Sequence, residues 1–205
     1  MREMLDEKGR TLARFLAEYD IDKYRRPSCA VDMAVFTDER EPSVLLIRRR
    51  NHPYIGRWAL PGGFVGFDET LEHAAARELE EETGVTDAEL HPFGVFDAVD
   101  RDPRTRVIST GFYAVLPRER LCFRAGDDAA DAALFCVTSV RELAHSAAAS
   151  ILGITLVGPA LIECRARVLY GARGEKVVPL AKPGEGGLAA DHDCILLSAL
   201  RALNN

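Results

Sequence analysis

The stretch GFVGFDETLEHAAARELEEETGV, residues 63–85, decides the fold. No Pro or Gly interrupts it between Glu69 and Thr83, which predicts a helix. Leu71, Ala75 and Leu79 recur every four residues and form the expected apolar stripe. Glu78 and Glu82 are i,i+4 neighbours and Glu81 follows Glu78 by three, so the spacing brings three carboxylates together near the helix end. Like charges this close repel, and a hard divalent cation, which prefers oxygen ligands, relieves the repulsion. A solvated acidic face accounts for the run Glu80-Glu81-Glu82. It does not account for the Pro61-Gly62-Gly63 turn, the isolated Glu69, or the Arg77-Glu78-Leu79 triplet. Arg77 is placed to pair with a carboxylate and hold its rotamer, and Gly84 is the expected left-handed stop.

Working outward, the pattern before this stretch is strand-like. Cys29–Phe36 alternates Ala30, Asp32, Ala34 against Val31, Met33, Val35, and Ser43–Arg49 follows a Pro42 turn, so the two read as a hairpin. Arg48, Arg49 and Arg50 end the second strand shortly before the glycine turn, where an arginine fork suits a diphosphate. Trp58–Leu60 reads as a short strand with Trp58 as a core anchor. Residues 1–19 read as a peripheral amphipathic helix with Leu5, Leu12, Phe15 and Leu16 on its apolar side. Beyond the helix, Leu90–Val99, Val107–Leu116 and Leu134–Thr138 read as strands, and Val140–Ser146 as a short helix. Ile151–Val157, Leu161–Tyr170 and Lys176–Leu180 read as a three-stranded meander, too short for a core of its own. A last helix follows His192 and Asp193, which read as capping residues, with a catalytic His192 as the alternative.

Composition sets bounds on this reading. A chain of 205 residues with 47% hydrophobic and 28% charged residues fits one globular domain. The charged start, MREMLDEKGR, lacks the apolar region of a secretory signal, and no apolar run is long enough to span a bilayer. The five cysteines, Cys29, Cys122, Cys136, Cys164 and Cys194, form no CxxC pair and read as reduced thiols of a cytoplasmic protein, with Cys136 the surest core candidate. A net charge of −6 argues against nucleic acid as a partner.

Residues 63–85 resemble the Nudix box, G-x5-E-x7-R-E-U-x-E-E-x-G-U with U apolar. Every fixed position is matched, by Gly63, Glu69, Arg77, Glu78, Leu79, Glu81, Glu82, Gly84 and Val85. Tyr24–Ser28, Asp32, Trp58–Gly63, Asp100–Ser109, Ala125–Ala129 and Leu188–His192 are similar to the subgroup that contains ADP-ribose pyrophosphatase-like enzymes and Nudix-related transcriptional regulators of NAD metabolism. The resemblance implies an α/β (α+β) Nudix sandwich, α/β/α with a mixed sheet, and the 150–187 meander as an insertion. It implies hydrolysis of a nucleoside diphosphate linked to another group, above all ADP-ribose to AMP and ribose 5-phosphate. The cofactor is Mg2+ or Mn2+, held by Glu78, Glu81 and Glu82 with the Gly63 carbonyl.

On the same resemblance, Arg77 orients the carboxylates and Glu69 supports the site, through a metal-bound water or by joining loop to helix. The general base is Glu81, Glu82, Asp128 or Asp131. Subgroup relatives often carry Glu where Asp131 stands and an aromatic where Leu134 stands. Position along the chain makes Arg49, Tyr54, Arg57, Phe64, Arg104 and Arg106 substrate-binding candidates, and a homodimer is expected. A ligand-sensing regulator and a nucleoside triphosphate pyrophosphohydrolase are the alternatives. The chain ends at Asn205, just after the last helix, without the basic recognition helix that a regulator needs.

Overall fold

Alternating side chains of the first strand divide the molecule into two cores. β1 (Ser28–Thr37) sends Val31, Met33 and Val35 to one side and Ala34 and Phe36 to the other. On the first side lies α2 (Leu71–Thr83), which buries Ala74, Ala75 and Leu79. On the other lies α3 (His192–Leu203), which buries Ile195, Leu196 and Leu200. Two faces covered by helices explain why β1 and its neighbour β2 (Ser43–Arg49) read as almost unbroken apolar runs.

The computed structural model describes residues 4–121, 129–172 and 174–203. Its other elements are α1 (Leu12–Glu18), β3 (Trp58–Ala59), β4 (Gly62–Phe64), β5 (His91–Phe96), β6 (Val107–Leu116), β7 (Ala129–His145), β8 (Ala149–Val157), β9 (Leu161–Gly171) and β10 (Gly174–Pro179). The sheet runs β10-β9-β8-β7-β2-β1-β6-β5, with β3 on β2 and β4 on β1. β1 and β6 are parallel over ten residue pairs, from Ser28↔Val107 to Thr37↔Leu116, and the other pairings are antiparallel. This is the expected mixed-sheet α/β/α sandwich, with the 150–187 meander continuing the same sheet. Ile154, Leu156, Ile162 and Cys164 of the meander share one core with α3.

Four local expectations are corrected. Residues 140–146 are not a helix: Val140–His145 end β7, paired to β8 down to His145↔Ser150. The helix-forming Arg141-Glu142-Leu143-Ala144 yields to the ladder that β8 requires, and Ser146 closes the hairpin on the Ala149 carbonyl. α1 is one short helix with none of its side chains buried, and Leu12 and Leu16 are exposed. Leu71 is exposed, and Ala74 takes its place in the buried stripe of α2. Cys136 is only half-buried, because β7 turns it off the core face that buries Phe135 and Val137; Cys164 and Cys194 are the buried thiols. No helix among the described residues is long and apolar enough to cross a membrane.

Candidate active site

The glycine turn and α2 build the site between them. Thr70 caps the start of α2 by accepting from the His73 N–H, and Gly84 ends it at φ 75°. β4 then pairs Gly63 with Val31 and Gly62 with Asp32 on β1, which fixes the turn against the sheet. Gly62 N–H donates to Glu82 Oε2 at 2.8 Å. Both glycines are required by contact. A Cβ on Gly63 would lie 2.3 Å from the Glu78 carboxyl carbon, and one on Gly62 would lie 2.3 Å from the Val31 carbonyl oxygen. Gly63→Ala is therefore expected to displace Glu78 and to weaken by roughly 10–100-fold any divalent-cation binding at that carboxylate, read as the Mg2+ concentration that raises Tm. An Mg2+ effect on Tm equal to that of the wild type would separate Glu78 from any cation site.

Arg77 is the hub of the carboxylates. Its guanidinium takes Glu69 with two bonds, Nε to Oε2 at 3.0 Å and Nη2 to Oε1 at 2.7 Å. Nη1 donates to Glu78 at 2.8 Å and Glu81 at 3.1 Å, and Nη2 reaches the Phe64 carbonyl at 3.1 Å. Glu69 also accepts from Gly66 N–H at 2.6 Å, so it joins the 64–69 loop to α2. Hydrogen bonds from Arg77 and then from Gly66 hold the Glu69 carboxyl down at about 2. Burial raises Glu78, against the pull of Arg77. Burial also pushes Glu82 up to about 8, against the hydrogen bond from Gly62.

Two adjoining hollows form one cleft and share Arg49, Gly62, Gly63, Phe64 and Arg104. Glu78 and Glu82 line one end. Tyr54, Asp102, Ala189, Ala190 and His192 line the other. Arg104 lies over the Phe64 ring, 5.0 Å from its centroid, and forks onto Asp102. Arg49 Nε is held by the Pro53 carbonyl at 2.7 Å. Burial, and then the Asp102 and Asp191 carboxylates, raise the Tyr54 phenol.

The other candidates lie elsewhere. Arg57 is turned to the carbonyls of Gly186, Gly187 and Leu188, and Arg106 to those of Ala98 and Val107. Asp131 stands on β7 opposite Arg48, its Oδ1 accepting from Ala132 N–H, and does not line the cleft. Asp128 falls outside the described residues.

Among the described residues, no group of three or more His, Cys, Asp or Glu side chains is gathered as a metal centre. Arg77 holds Glu78 and the largely exposed Glu81 by one oxygen each, and Glu82 turns to Gly62. The donor set nonetheless suits a hard cation. Glu78 and Glu82 offer carboxyl oxygens, the donors such an ion prefers, and the Gly63 backbone is pressed against Glu78.

A second polar cluster, which residue spacing did not reveal, meets the cleft through Asp32, Arg101 and His192. Arg101 forks onto Asp191, Nε to Oδ2 at 3.0 Å and Nη2 to Oδ1 at 2.8 Å, and Nη2 also reaches Asp32 Oδ2 at 3.2 Å. Ser109 Oγ donates to Asp32 at 2.5 Å, and His192 Nδ1 accepts the Leu60 N–H at 2.9 Å. All are buried, Asp32, Arg101 and Asp191 to 5–7% exposure. Asp32, Arg101 and Asp191 are separated by 69 and 90 positions along the chain, so only the fold brings them together. The signals in the sequence were a charged residue, Asp32, inside an otherwise apolar strand, and the subgroup-like segments Asp100–Ser109 and Leu188–His192, which hold the other members.

Both the sequence and the fold have relatives. A profile of the NUDIX domain matches residues 27–152. The ADP-ribose pyrophosphatase of Methanocaldococcus jannaschii is 40% identical over 134 residues, 64% of this chain and 76% of that protein. The ADPR responsive transcriptional repressor NtrR of Acinetobacter baylyi is 38% identical over 105 residues, 50% of this chain and 42% of the repressor. Among solved structures, a MutT/nudix family protein from Enterococcus faecalis superposes with a TM-score of 0.67 at 30% identity, over 97% of this chain and 71% of that one. With the box complete, its helix and glycine turn in place against a mixed sheet, and the profile covering most of the sequence, the chain belongs to the Nudix family.

Proposed function

We propose that the protein is a divalent-metal-dependent pyrophosphatase that hydrolyses ADP-ribose to AMP and ribose 5-phosphate. The observation that carries this reading is the continuous cleft. It has carboxylates Glu78 and Glu82 at one end, cationic Arg49 and Arg104 in the shared middle, and a Tyr54–Ala189 wall at the other. That order suits a diphosphate with a bulky group on either side. The ADP-ribose named for both sequence relatives supports the choice of nucleotide.

In the reaction, a water oxygen bonds to one phosphorus, the bridging P–O bond breaks, and the departing phosphate keeps the bridging oxygen. The water's proton passes to a carboxylate or to solvent. Glu78 and Glu82, with Glu81 and the Gly63 carbonyl, would hold Mg2+ or Mn2+, which supplies charge neutralisation and a more acidic water. Arg49 and Arg104 bind the diphosphate, Arg77 keeps Glu78 and Glu81 oriented, and Glu69 locks the loop to the helix. On the resemblance the protein is a homodimer, and on its scattered cysteines, without a CxxC pair, it acts in the cytoplasm. The exposed Leu12 and Leu16 of α1 support a partner, and light scattering that gave the mass of one chain would oppose it.

The test is a panel of ADP-ribose, NADH, sugar nucleotides and nucleoside triphosphates with Mg2+ or Mn2+, with products identified. AMP and ribose 5-phosphate from ADP-ribose are expected. Turnover of none of them rules out the enzyme. The likeness to a repressor favours a second reading, a ligand-sensing regulator, and tight ADP-ribose binding without turnover would select it.

A further inference from the structure

Residues Gly186–Asp193 lie more than a hundred positions after the box, yet Ala189, Ala190 and His192 among them line the cleft. They are strapped to the segment just before the glycine turn. Ala189 N–H donates to the Trp58 carbonyl at 2.8 Å, and Leu60 N–H donates to His192 Nδ1 at 2.9 Å. Arg57 reaches back to the Gly186 carbonyl. Asp193 holds the strap in shape, accepting from Gly187 N–H at 3.0 Å, Leu188 N–H at 2.8 Å and Arg165 N–H of β9 at 3.1 Å.

Two arms lead from the strap to the chemistry. The first is Asp191, which forks onto Arg101. Arg101 stands in the segment that carries Asp102 and Arg104 into the cleft, so this arm decides where the Arg104 cation sits. The second is His192. Because Nδ1 accepts the Leu60 N–H, a neutral ring carries its proton on Nε2, which stands 3.4 Å from Asp32 Oδ1. Leu60 leads directly into Pro61-Gly62-Gly63. Gly62 N–H binds Glu82, and the Pro61 carbonyl accepts from Met33 N–H at 2.8 Å. A shift at Leu60 therefore reaches the Glu82 carboxylate within two residues.

We propose that Asp191 and His192 are positioning residues for the proposed pyrophosphatase. His192 sets the turn that orients Glu82, and Asp191 sets, through Arg101, the segment that carries Arg104. The inference rests on the pyrophosphatase reading and separates the two arms. The His192 arm acts on the reacting end of the cleft, and the Asp191 arm on the part that binds substrate.

The test uses the full chain with ADP-ribose and Mg2+. Asp191→Asn should raise KM about 10-fold and change kcat by less than about 3-fold. His192→Leu, which removes the acceptor, should lower kcat roughly 10–100-fold. His192→Asn, which again offers an acceptor to the Leu60 N–H, should recover most of that loss. If all three variants lower Tm and leave kcat and KM of the folded protein at wild-type values, the residues are structural and the proposal is overturned. Amide exchange at Leu60–Gly63 gives a readout without turnover and is expected to be faster in His192→Asn than in wild type, and faster again in His192→Leu. Should the Leu variant not fold, His192→Ala also removes the acceptor, and wild-type exchange and kcat in it overturn the His192 arm. A wild-type protein that hydrolyses nothing counts against the pyrophosphatase reading. Exchange at Leu60–Gly63 and the ADP-ribose dissociation constant of Asp191→Asn then still decide this one.

Discussion

Glu82→Gln is expected to lower kcat for ADP-ribose by on the order of 10²–10³-fold while the fold is kept. Glu82 is the most buried of the box carboxylates, at 8% exposure, and it accepts the Gly62 N–H. Glutamine keeps that acceptor and the shape but removes the negative charge that a divalent ion requires. Stability should respond differently with and without metal. A buried carboxyl pushed up to about 8 resists ionisation, whereas in the unfolded chain it ionises near its ordinary value of 4.5. The unfolded state therefore gains from ionisation first, and metal-free wild type loses stability as pH rises from that value through 8. Glu82→Gln should flatten this slope, so its metal-free Tm at pH 8 should equal or exceed that of wild type. Mg2+ should then raise the wild-type Tm, by about 2.7 kcal/mol of stability at a hundred times its Kd, and leave the variant unmoved. Full activity in the variant, or an equal Mg2+ shift, would argue against Glu82 as a ligand.

Arg101→Ala is expected to be the most destabilising single change at the site. It would strand two carboxylates, Asp32 at 7% and Asp191 at 5% exposure, without their shared cation. Removing one partner of such a buried pair costs about 3–5 kcal/mol. In a chain of this length that corresponds to a fall in Tm of roughly 10 °C. Arg101→Lys should recover only part of it, because an ammonium lacks the fork that meets both oxygens of Asp191. Neutralising all three positions together, with Arg101→Met, Asp32→Asn and Asp191→Asn, should be less harmful than Arg101→Ala alone, since no charge is left buried. A single Arg101→Ala variant that melts within about 2 °C of wild type would show that water reaches these carboxylates.

The box was legible because its chemistry is local. The helix with its Thr70 and Gly84 ends and the contacts of Arg77 with Glu78 and Glu81 depend on i,i+1 to i,i+4 neighbours, which the spacing of a single segment specifies. The meander was legible for the same reason, since β9 alternates exposed and buried along its length. The helix expected at 140–146 was not the outcome, because its propensity competes with a strand partner that only the fold supplies. Arg57 and Arg106 show the same limit at the site: near the cleft by position, they spend their guanidinium donors on backbone carbonyls.

Residues 61–85 by themselves determined the family, the glycine turn and the placing of Glu78, Glu81 and Glu82 on one helix, because those features need only that helix and the loop that enters it. Only the tertiary structure decided where the carboxylates point, which arginines reach the cleft, and that Asp32, Arg101, Asp191 and His192 belong together. The physical reason lies in burial. A charge taken out of water needs a partner, that partner comes from whichever segment packs against it, and here it comes from far along the chain.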